Sequence, residues 1–321
     1  MQIRTDLAIE ARELFFETAM EKETEIPGIT YEEDGDDEVG IIRVLVENEE
    51  GEKALGKKKG RYVTIEMPSL LYGEPKIMEK ATRVLSRELG AMAGERKLTL
   101  VAGLGNGQIT PDSLGPKVVP LLVVTRHLFT HMPESVAHLE SVCALSPGVL
   151  GITGMETGEI IKGVAERVKP DLVIVVDALA SRRAERVSTT IQLTDTGISP
   201  GSGVGNSRKA INAETIGVPV IAIGVPMVVD AATIANDTID LVIDTLTKSA
   251  DGDFYKMLKD LDREEKHALI REALPTEMEN MIVTPKDIDA LSDKIARIVA
   301  NGINFCLHPS ITAEEIKAFV S

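Results

Sequence analysis

Cysteine is scarce in this sequence, and its spacing argues against two kinds of small domain. Only Cys143 and Cys306 occur, far apart and without a C-x-x-C pair. The sequence therefore indicates neither a disulfide framework nor a zinc ribbon, and it fits a reducing compartment. Histidine is sparse too, and its positions form no strong metal-ligand pattern, so we expect no metal and no other cofactor.

Long hydrophobic runs are missing as well. No uninterrupted apolar stretch reaches the roughly 18 residues that a membrane-spanning helix needs. The first residues do not form the apolar core of a signal peptide. We therefore expect a cytoplasmic protein without a membrane partner.

Positive charge is in deficit, because 35 Lys and Arg residues stand against 51 Asp and Glu residues, for a net charge of −16. Such a charge repels nucleic acids and anionic membranes. Direct nucleic-acid binding is therefore unexpected, whereas a cationic protein partner would be attracted. With 321 residues and 43% hydrophobic content, the chain can bury a sizeable core.

The hydrophobic pattern changes along the chain. It predicts a surface helix from residue 8 to about 23, a solvated acidic loop over 32–38, and antiparallel strands over 41–46 and 62–67. The elements predicted after these are a helix over 76–89, a strand over 98–102, a helix after residue 112, strands over 172–176 and 218–223, and helices over 231–246 and 287–299. This alternation predicts an α/β fold with a mostly parallel sheet, helices on both faces and a helical C-terminal part.

A Gly-x-Gly sequence at Gly103 and Gly105 follows the strand predicted over 98–102. A dinucleotide-binding loop needs a third glycine where Gln108 stands, and two prolines interrupt the helix that would bind the pyrophosphate. The loop leads instead to Asp112, just beyond the carboxyl end of a buried strand. From this motif alone, Asp112 is either a catalytic carboxylate or a helix cap.

A second candidate, Asp177, follows the apolar strand predicted over 172–176. Active-site crevices of open parallel sheets lie outside the carboxyl ends of the strands, so Asp112 and Asp177 should reach the same edge. Two close carboxyl groups cannot both ionise cheaply, so one can hold a proton while the other activates water. This is a basis for peptide hydrolysis without a metal or a nucleophilic side chain.

A glycine-rich block covers residues 195–206 and contains G-x-S-x-G. In a nucleophile elbow the residue after the serine donates a backbone N–H, but Pro200 has none, which disfavours a serine hydrolase. The glycines permit either a tight loop that approaches a substrate or anion, with Arg208 and Lys209 nearby, or a purely structural turn.

Together these segments resemble the germination protease family of endospore-forming bacteria. The resemblance rests on residues 4–8, 103–106, 110–112, 177–180, 195–206 and 217–226. It implies an atypical aspartic endopeptidase that starts the degradation of small acid-soluble spore proteins during germination. It also implies a core similar to that of hydrogenase maturation proteases, and it matches the family's two proposed catalytic aspartates to Asp112 and Asp177.

The resemblance further implies a homotetramer in the cytoplasm of the spore core, made as an inactive zymogen during sporulation. Self-cleavage is expected between Asp6 and Leu7, which makes residues 1–6 a propeptide and residues 7–321 a single catalytic domain. Its parts would be an N-terminal helix with antiparallel strands over 7–95, an α/β core over 96–250 and a helical part over 251–321.

Family substrates are cut after an acidic residue, so the resemblance implies a cationic subsite. Arginine pairs with a carboxylate through two hydrogen bonds, which suits this task. The basic residues close in sequence to the site motifs are Arg182, Arg183, Arg186, Arg208 and Lys209.

Two other functions stay open. In a metal-dependent or hydrogenase-maturation-like peptidase, the same carboxylates would be metal ligands. In a non-enzymatic binder, the acidic surface would sequester basic spore proteins.

Overall fold

The computed structural model describes residues 5–18, 26–70, 75–136, 138–201, 208–235, 238, 241–242, 245 and 281–320. The predictions for residues 1–4, 19–23, 202–206 and most of 236–280 lie outside the described residues. Within the described part of the chain, no helix is both long and apolar enough to cross a membrane.

The elements are numbered in chain order. The strands are β1 (Ile29–Gly35), β2 (Gly40–Val46), β3 (Gly60–Glu66), β4 (Leu98–Gly103), β5 (Ser141–Leu145), β6 (Leu172–Ser181), β7 (Thr190–Thr194), β8 (Val220–Asp230) and β9 (Ile282–Val283). The helices are α1 (Ala8–Thr18), α2 (Glu49–Leu55), α3 (Pro75–Ala93), α4 (Leu114–Val118), α5 (Arg126–His131), α6 (Leu150–Thr153), α7 (Thr157–Val168), α8 (Ala213–Ile216), α9 (Ile288–Leu307) and α10 (Ala313–Val320).

The described strands join one sheet in the order β1-β2-β3-β7-β8-β6-β4-β5, with β9 beside β8. Strands β5, β4, β6 and β8 run parallel to one another and form one half of the sheet. Strands β1, β2, β3 and β7 form an antiparallel wing that joins β8. The predicted α/β class, with its antiparallel excursion and helical C-terminal part, is confirmed.

Helices cover both faces of the parallel strands, as the uninterrupted apolar runs require. On one face, Ile174 and Val176 of β6 belong to the same buried cluster as residues of α3, α4 and α9. On the other face, Val173 and Val175 pack with α7 and α8. Helix α1 packs on this second face, over β2 and β3, where Leu7 is completely buried.

Strand β6 is longer than the sequence predicted. Its apolar run stops at Val176, but the strand continues to Ser181 because β8 pairs with it from Val173 onward. Strand β4 ends at Gly103, opposite Val176. Asp177 is therefore the first residue of β6 beyond the end of β4, and it lies inside a strand rather than after one.

The acidic run at 32–38 was predicted as a solvated loop, and this was wrong for its first half. Residues up to Gly35 belong to β1, whose backbone pairs with β2 along its whole length. The charges remain exposed because β1 is an edge strand, and Asp34 lies 3.5 Å from Arg43 of β2. Charged side chains are common on edge strands, where they discourage pairing with another chain.

A close approach between Gly103 and Gly115 brings α4 against the end of β4. A Cβ on Gly115 would lie 2.3 Å from the backbone N and O of Leu104 and 2.5 Å from the Gly103 carbonyl carbon. There is therefore no room for a side chain at Gly103, where β4 ends, or at Gly115, where α4 begins. This contact fixes the loop that carries Asp112.

We expect Gly115→Ala to lower the free energy of unfolding by about 1–3 kcal/mol, because backbone must move to admit the methyl group. Gly163→Ala in α7 is the matched control, since a Cβ there meets no atom within 4 Å. It should be neutral or stabilise the helix by up to about 1 kcal/mol. Urea unfolding of both variants measures the difference, and equal stabilities would contradict the close-approach argument.

Candidate active site

Asp177 is a buried carboxyl on the central strand β6. The residue is 5% exposed, and the backbone N–H of Ala178 donates to its Oδ1 at 2.9 Å. The pKa of Asp177 lies well above the ordinary value for aspartate, first because burial removes the carboxyl from water, and then because the charges of Asp112 and Asp6 repel its own. The hydrogen bond from Ala178 opposes this shift.

Asp112 ends the 3-10 turn Thr110–Asp112 and is partly buried. The backbone N–H of Asn106 donates to its Oδ2 at 2.8 Å. This bond points back into the preceding loop, and α4 begins without a side-chain cap, so the carboxyl does not cap α4. Burial raises the pKa of Asp112, and the hydrogen bond from Asn106 lowers it.

The loop that holds Asp112 depends on Gly105. Its φ is +104°, in the region that favours glycine, and a Cβ there would lie 2.1 Å from the Asp112 carbonyl oxygen. The loop therefore folds back tightly on the turn. It brings the Asp112 carboxyl to the carboxyl end of β4, beside which Asp177 lies on β6. The Asp112 charge raises the pKa of Asp177, which shows that the two carboxyl groups interact.

The N-terminal segment lies at the same edge of the sheet. The backbone N–H of Asp6 donates to the Ala180 carbonyl at 3.4 Å, and the Ala180 N–H donates to Oδ2 of Asp6 at 3.0 Å. The Asp6 charge contributes to the raised pKa of Asp177. The residues before α1 thus run beside β6, near the Asp177 carboxyl.

A family model described as germination protease matches residues 8–254 and 248–320 of the chain. The chain belongs to the germination protease family. The germination protease of Caldanaerobacter subterraneus subsp. tengcongensis is 52% identical over 319 residues, which cover 98% of this chain and 97% of the relative. The germination protease of Clostridium tetani is 48% identical over 326 residues, covering 100% of both chains. The chain is thus a peptidase by family.

One solved structure similar to this family member is the NiFe hydrogenase maturation protease HycI from Thermococcus kodakarensis KOD1. Its identity is 15% and its TM-score is 0.34. The match covers 67% of this chain and 98% of that protein.

The basic residues predicted to bind an acidic substrate side chain lie in two separate places. Arg182, Arg183 and Arg186 follow β6 and surround the carboxylates of α1. The backbone N–H groups of Arg182 and Arg183 donate to Glu10 at 2.7 and 3.0 Å. The Arg186 guanidinium lies 2.6 Å from Glu13 and 3.4 Å from Glu10, so its charge is largely compensated within the chain.

Arg208 and Lys209 lie elsewhere, beside α7. The Arg208 guanidinium is 4.0 Å from Glu156, and Lys209 Nζ is 3.2 Å from Glu159. Both side chains are exposed, at 38% and 71%. The structure therefore does not bring all five basic residues together.

Sequence reasoning missed Lys57 and Gln192, which both contact the backbone of Asp6. Gln192 does carry a signal, because it is a long polar side chain between Ile191 and Leu193 in a buried strand. Lys57 carries none, since it belongs to a run of three lysines that reads as an ordinary basic turn.

Among the residues that the structure describes, no group of three or more His, Cys, Asp and Glu side chains is arranged to hold a metal ion.

We expect Asp177→Asn to unfold less readily than the wild type at pH 7. The folded-state pKa of Asp177 is raised, so on increasing pH this carboxyl ionises in the unfolded chain before it ionises in the folded protein. Wild-type stability therefore falls as pH rises from the ordinary aspartate pKa toward the raised pKa of Asp177. The amide lacks that charge, so the difference should shrink as pH falls toward the ordinary aspartate pKa of about 4. Urea unfolding at a series of pH values measures it.

Asp171→Asn is the control at the other end of β6. The backbone N–H groups of Lys97 and Leu98 hold the pKa of Asp171 below its ordinary value. That variant should therefore be less stable than the wild type at pH 7, and the loss should disappear at low pH. A destabilised Asp177→Asn protein at pH 7 would show that Asp177 is not a strained buried carboxyl.

Proposed function

We propose that this germination protease family member is an atypical aspartic endopeptidase that starts the degradation of small acid-soluble spore proteins during germination. The observation that carries the proposal is the buried Asp177 under the influence of the Asp112 charge. A peptidase needs a group that accepts a proton from water and a group that protonates the leaving nitrogen. A carboxyl pair that holds one proton supplies both.

In the proposed reaction, Asp177 carries the shared proton at the start because it is the more deeply buried carboxyl. The ionised Asp112 accepts a proton from water while the water oxygen bonds to the peptide carbonyl carbon. The C–N bond then breaks, and its nitrogen takes the proton of Asp177. The products are a new carboxyl group and a new amino group, with no metal and no covalent intermediate.

The proposed substrates are basic proteins, and the net charge of −16 favours their approach over that of nucleic acids. We propose that one of the five predicted basic residues binds the acidic side chain before the cut bond. Arg208 and Lys209 support this role through their exposure, and Arg182 and Arg183 through their position directly after β6.

We also propose that the chain is made as a zymogen, removes residues 1–6 itself, and works as a homotetramer in the cytoplasm of the spore core. The single domain over 7–321 would be the active form. The position of the Asp6 backbone beside Ala180 supports the cleavage proposal, because it brings residues 5–8 to the edge of β6 where the carboxyl pair lies.

Asp112→Asn and Asp177→Asn should each slow the cleavage of a small acid-soluble spore protein by about 100-fold or more, because each amide removes the acid or the base. Asp171→Asn should cleave at nearly the wild-type rate, since Asp171 lies at the opposite end of β6. Fragment formation measured by mass spectrometry gives the rates, and thermal unfolding confirms that each variant is folded.

The same assay separates the other functions. A folded Asp112→Asn protein with near-normal cleavage would refute the carboxyl pair. Loss of wild-type activity on chelation, restored by a metal ion, would favour a metal-dependent peptidase. A stable complex with the substrate protein and no fragments would favour a binder.

Self-processing should produce a new N-terminus at Leu7 after mild acidification and dehydration, and should be slow until then. Aspartate is one methylene shorter than the glutamate usual in family substrates, and small misplacements in a site reduce rates strongly. N-terminal sequencing before and after this treatment measures the change. The new terminus should be absent in Asp112→Asn, and a terminus elsewhere, or processing that persists in that variant, would assign the cut to another site or another protease.

A further inference from the structure

The carbonyl oxygen of Asp6 accepts hydrogen bonds from two side chains of different elements. Lys57, in the turn before β3, donates from Nζ at 2.9 Å. Gln192, in the middle of β7, donates from Nε2 at 3.1 Å. An ammonium group and an amide N–H therefore converge on one backbone oxygen, and that oxygen belongs to the bond proposed above for self-cleavage.

Gln192 brackets this bond from both sides. Its Nε2 binds the Asp6 carbonyl, and its Oε1 accepts the backbone N–H of Ala8 at 2.6 Å. The planar Gln192 side-chain amide thus binds the Asp6 carbonyl on one side of the Asp6–Leu7 bond and the Ala8 N–H on the other. Such a bidentate contact fixes the peptide plane relative to the sheet.

Gln192 lies in the same row of the sheet as Asp177. Both residues pair with Gly224 of β8, one from β7 and the other from β6. Ile191 and Leu193 point into the core on the α3 and α9 face, so Gln192 and Asp177 project from the other face. Strands two apart are separated by about 10 Å, which a glutamine side chain and a bound backbone can span.

Lys57 is placed differently from the lysines beside it. Lys58 and Lys59 are exposed, whereas Lys57 is only partly exposed, and its ammonium group also donates to the Thr5 carbonyl at 3.0 Å. Burial lowers the pKa of Lys57, and the carboxylates of Asp6 and Glu10 oppose this shift. Two carbonyl acceptors hold the ammonium group, so a purely solubilising role does not explain its position.

We propose that Lys57 and Gln192 are the carbonyl-binding residues of self-processing, where they polarise the Asp6 carbonyl and stabilise the oxyanion that forms on it. This inference rests on the proposed cleavage between Asp6 and Leu7. Donors aimed at an oxygen that gains negative charge act more strongly in the transition state than in the ground state.

Water adds its oxygen to the Asp6 carbonyl carbon, its proton passes to the carboxyl pair, and the C=O electrons move to the oxygen held by Lys57 and Gln192. When the C–N bond breaks, the carbonyl re-forms and the Leu7 nitrogen takes a proton from the pair. Lys57 keeps its own protons throughout.

Lys57→Met and Gln192→Met test the proposal, because each keeps a long side chain and removes the donor. Each should slow the appearance of the Leu7 terminus by about 100-fold to 1,000-fold, the cost of removing one oxyanion donor. Lys58→Met and Lys59→Met are the matched controls in the same turn, and they should process at the wild-type rate. N-terminal sequencing over time gives the rates, and thermal unfolding verifies the fold.

A conservative variant separates a charged donor from a packing role. Lys57→Arg keeps a positive charge and N–H donors at this position. It should therefore process faster than Lys57→Met, although more slowly than the wild type. Equal rates for Lys57→Arg and Lys57→Met would refute the assigned charge.

The outcomes distinguish this inference from the proposed function. If the wild type processes at Leu7, Asp112→Asn does not, and both methionine variants match the wild type, the carbonyl-binding assignment is wrong and the carboxyl pair stands. If the wild type never gains a Leu7 terminus, both the self-processing proposal and this inference fall.

Discussion

The burial of one carboxyl group in the central strand determines how the rest of the site is built. Asp177 stands on β6 where β4 has ended, so β8 pairs with it on one side, and on the other side a loop and the N-terminal segment replace a strand. Burying a carboxyl without an ionic partner is unfavourable, and the nearby carboxylates of Asp112 and Asp6 increase that penalty. The sheet around it must therefore be stable enough to hold a group that would ionise freely in water.

The arginines that follow β6 contact carboxylates of α1, so the cost of burying the Asp177 carboxyl remains. Arg186, one of two buried arginines after β6, is paired with Glu13 and Glu10 of α1. Those glutamates attract the arginine side chain toward α1, and Glu10 also accepts the backbone N–H groups of Arg182 and Arg183. The helix that follows the N-terminal segment thus orders the chain beyond β6 without supplying a cation to the aspartates.

Much of this architecture could be predicted from the sequence, because long apolar runs reveal parallel strands directly. The runs that became β4 and β6 pointed to Asp112 and Asp177, since each aspartate follows such a run. The extension of β6 to Ser181 could not be predicted, because it depends on pairing with β8 rather than on local pattern. The contacts of Lys57 could not be predicted for a similar reason, because only the fold distinguishes this lysine from the two lysines beside it.

The attachment of residues 5–7 to α1 has a consequence for how strongly the segment occupies its place. A tethered peptide competes at an effective concentration in the millimolar range or above, however weak its separate contacts are. A substrate protein of equal affinity has to exceed that concentration to displace the segment. If the proposed cut before Leu7 takes place, residues 5 and 6 become part of a free peptide at no more than the concentration of the enzyme itself. A single hydrolysed bond would then release this segment from β6 by dilution alone, while every strand of the sheet stays where it was.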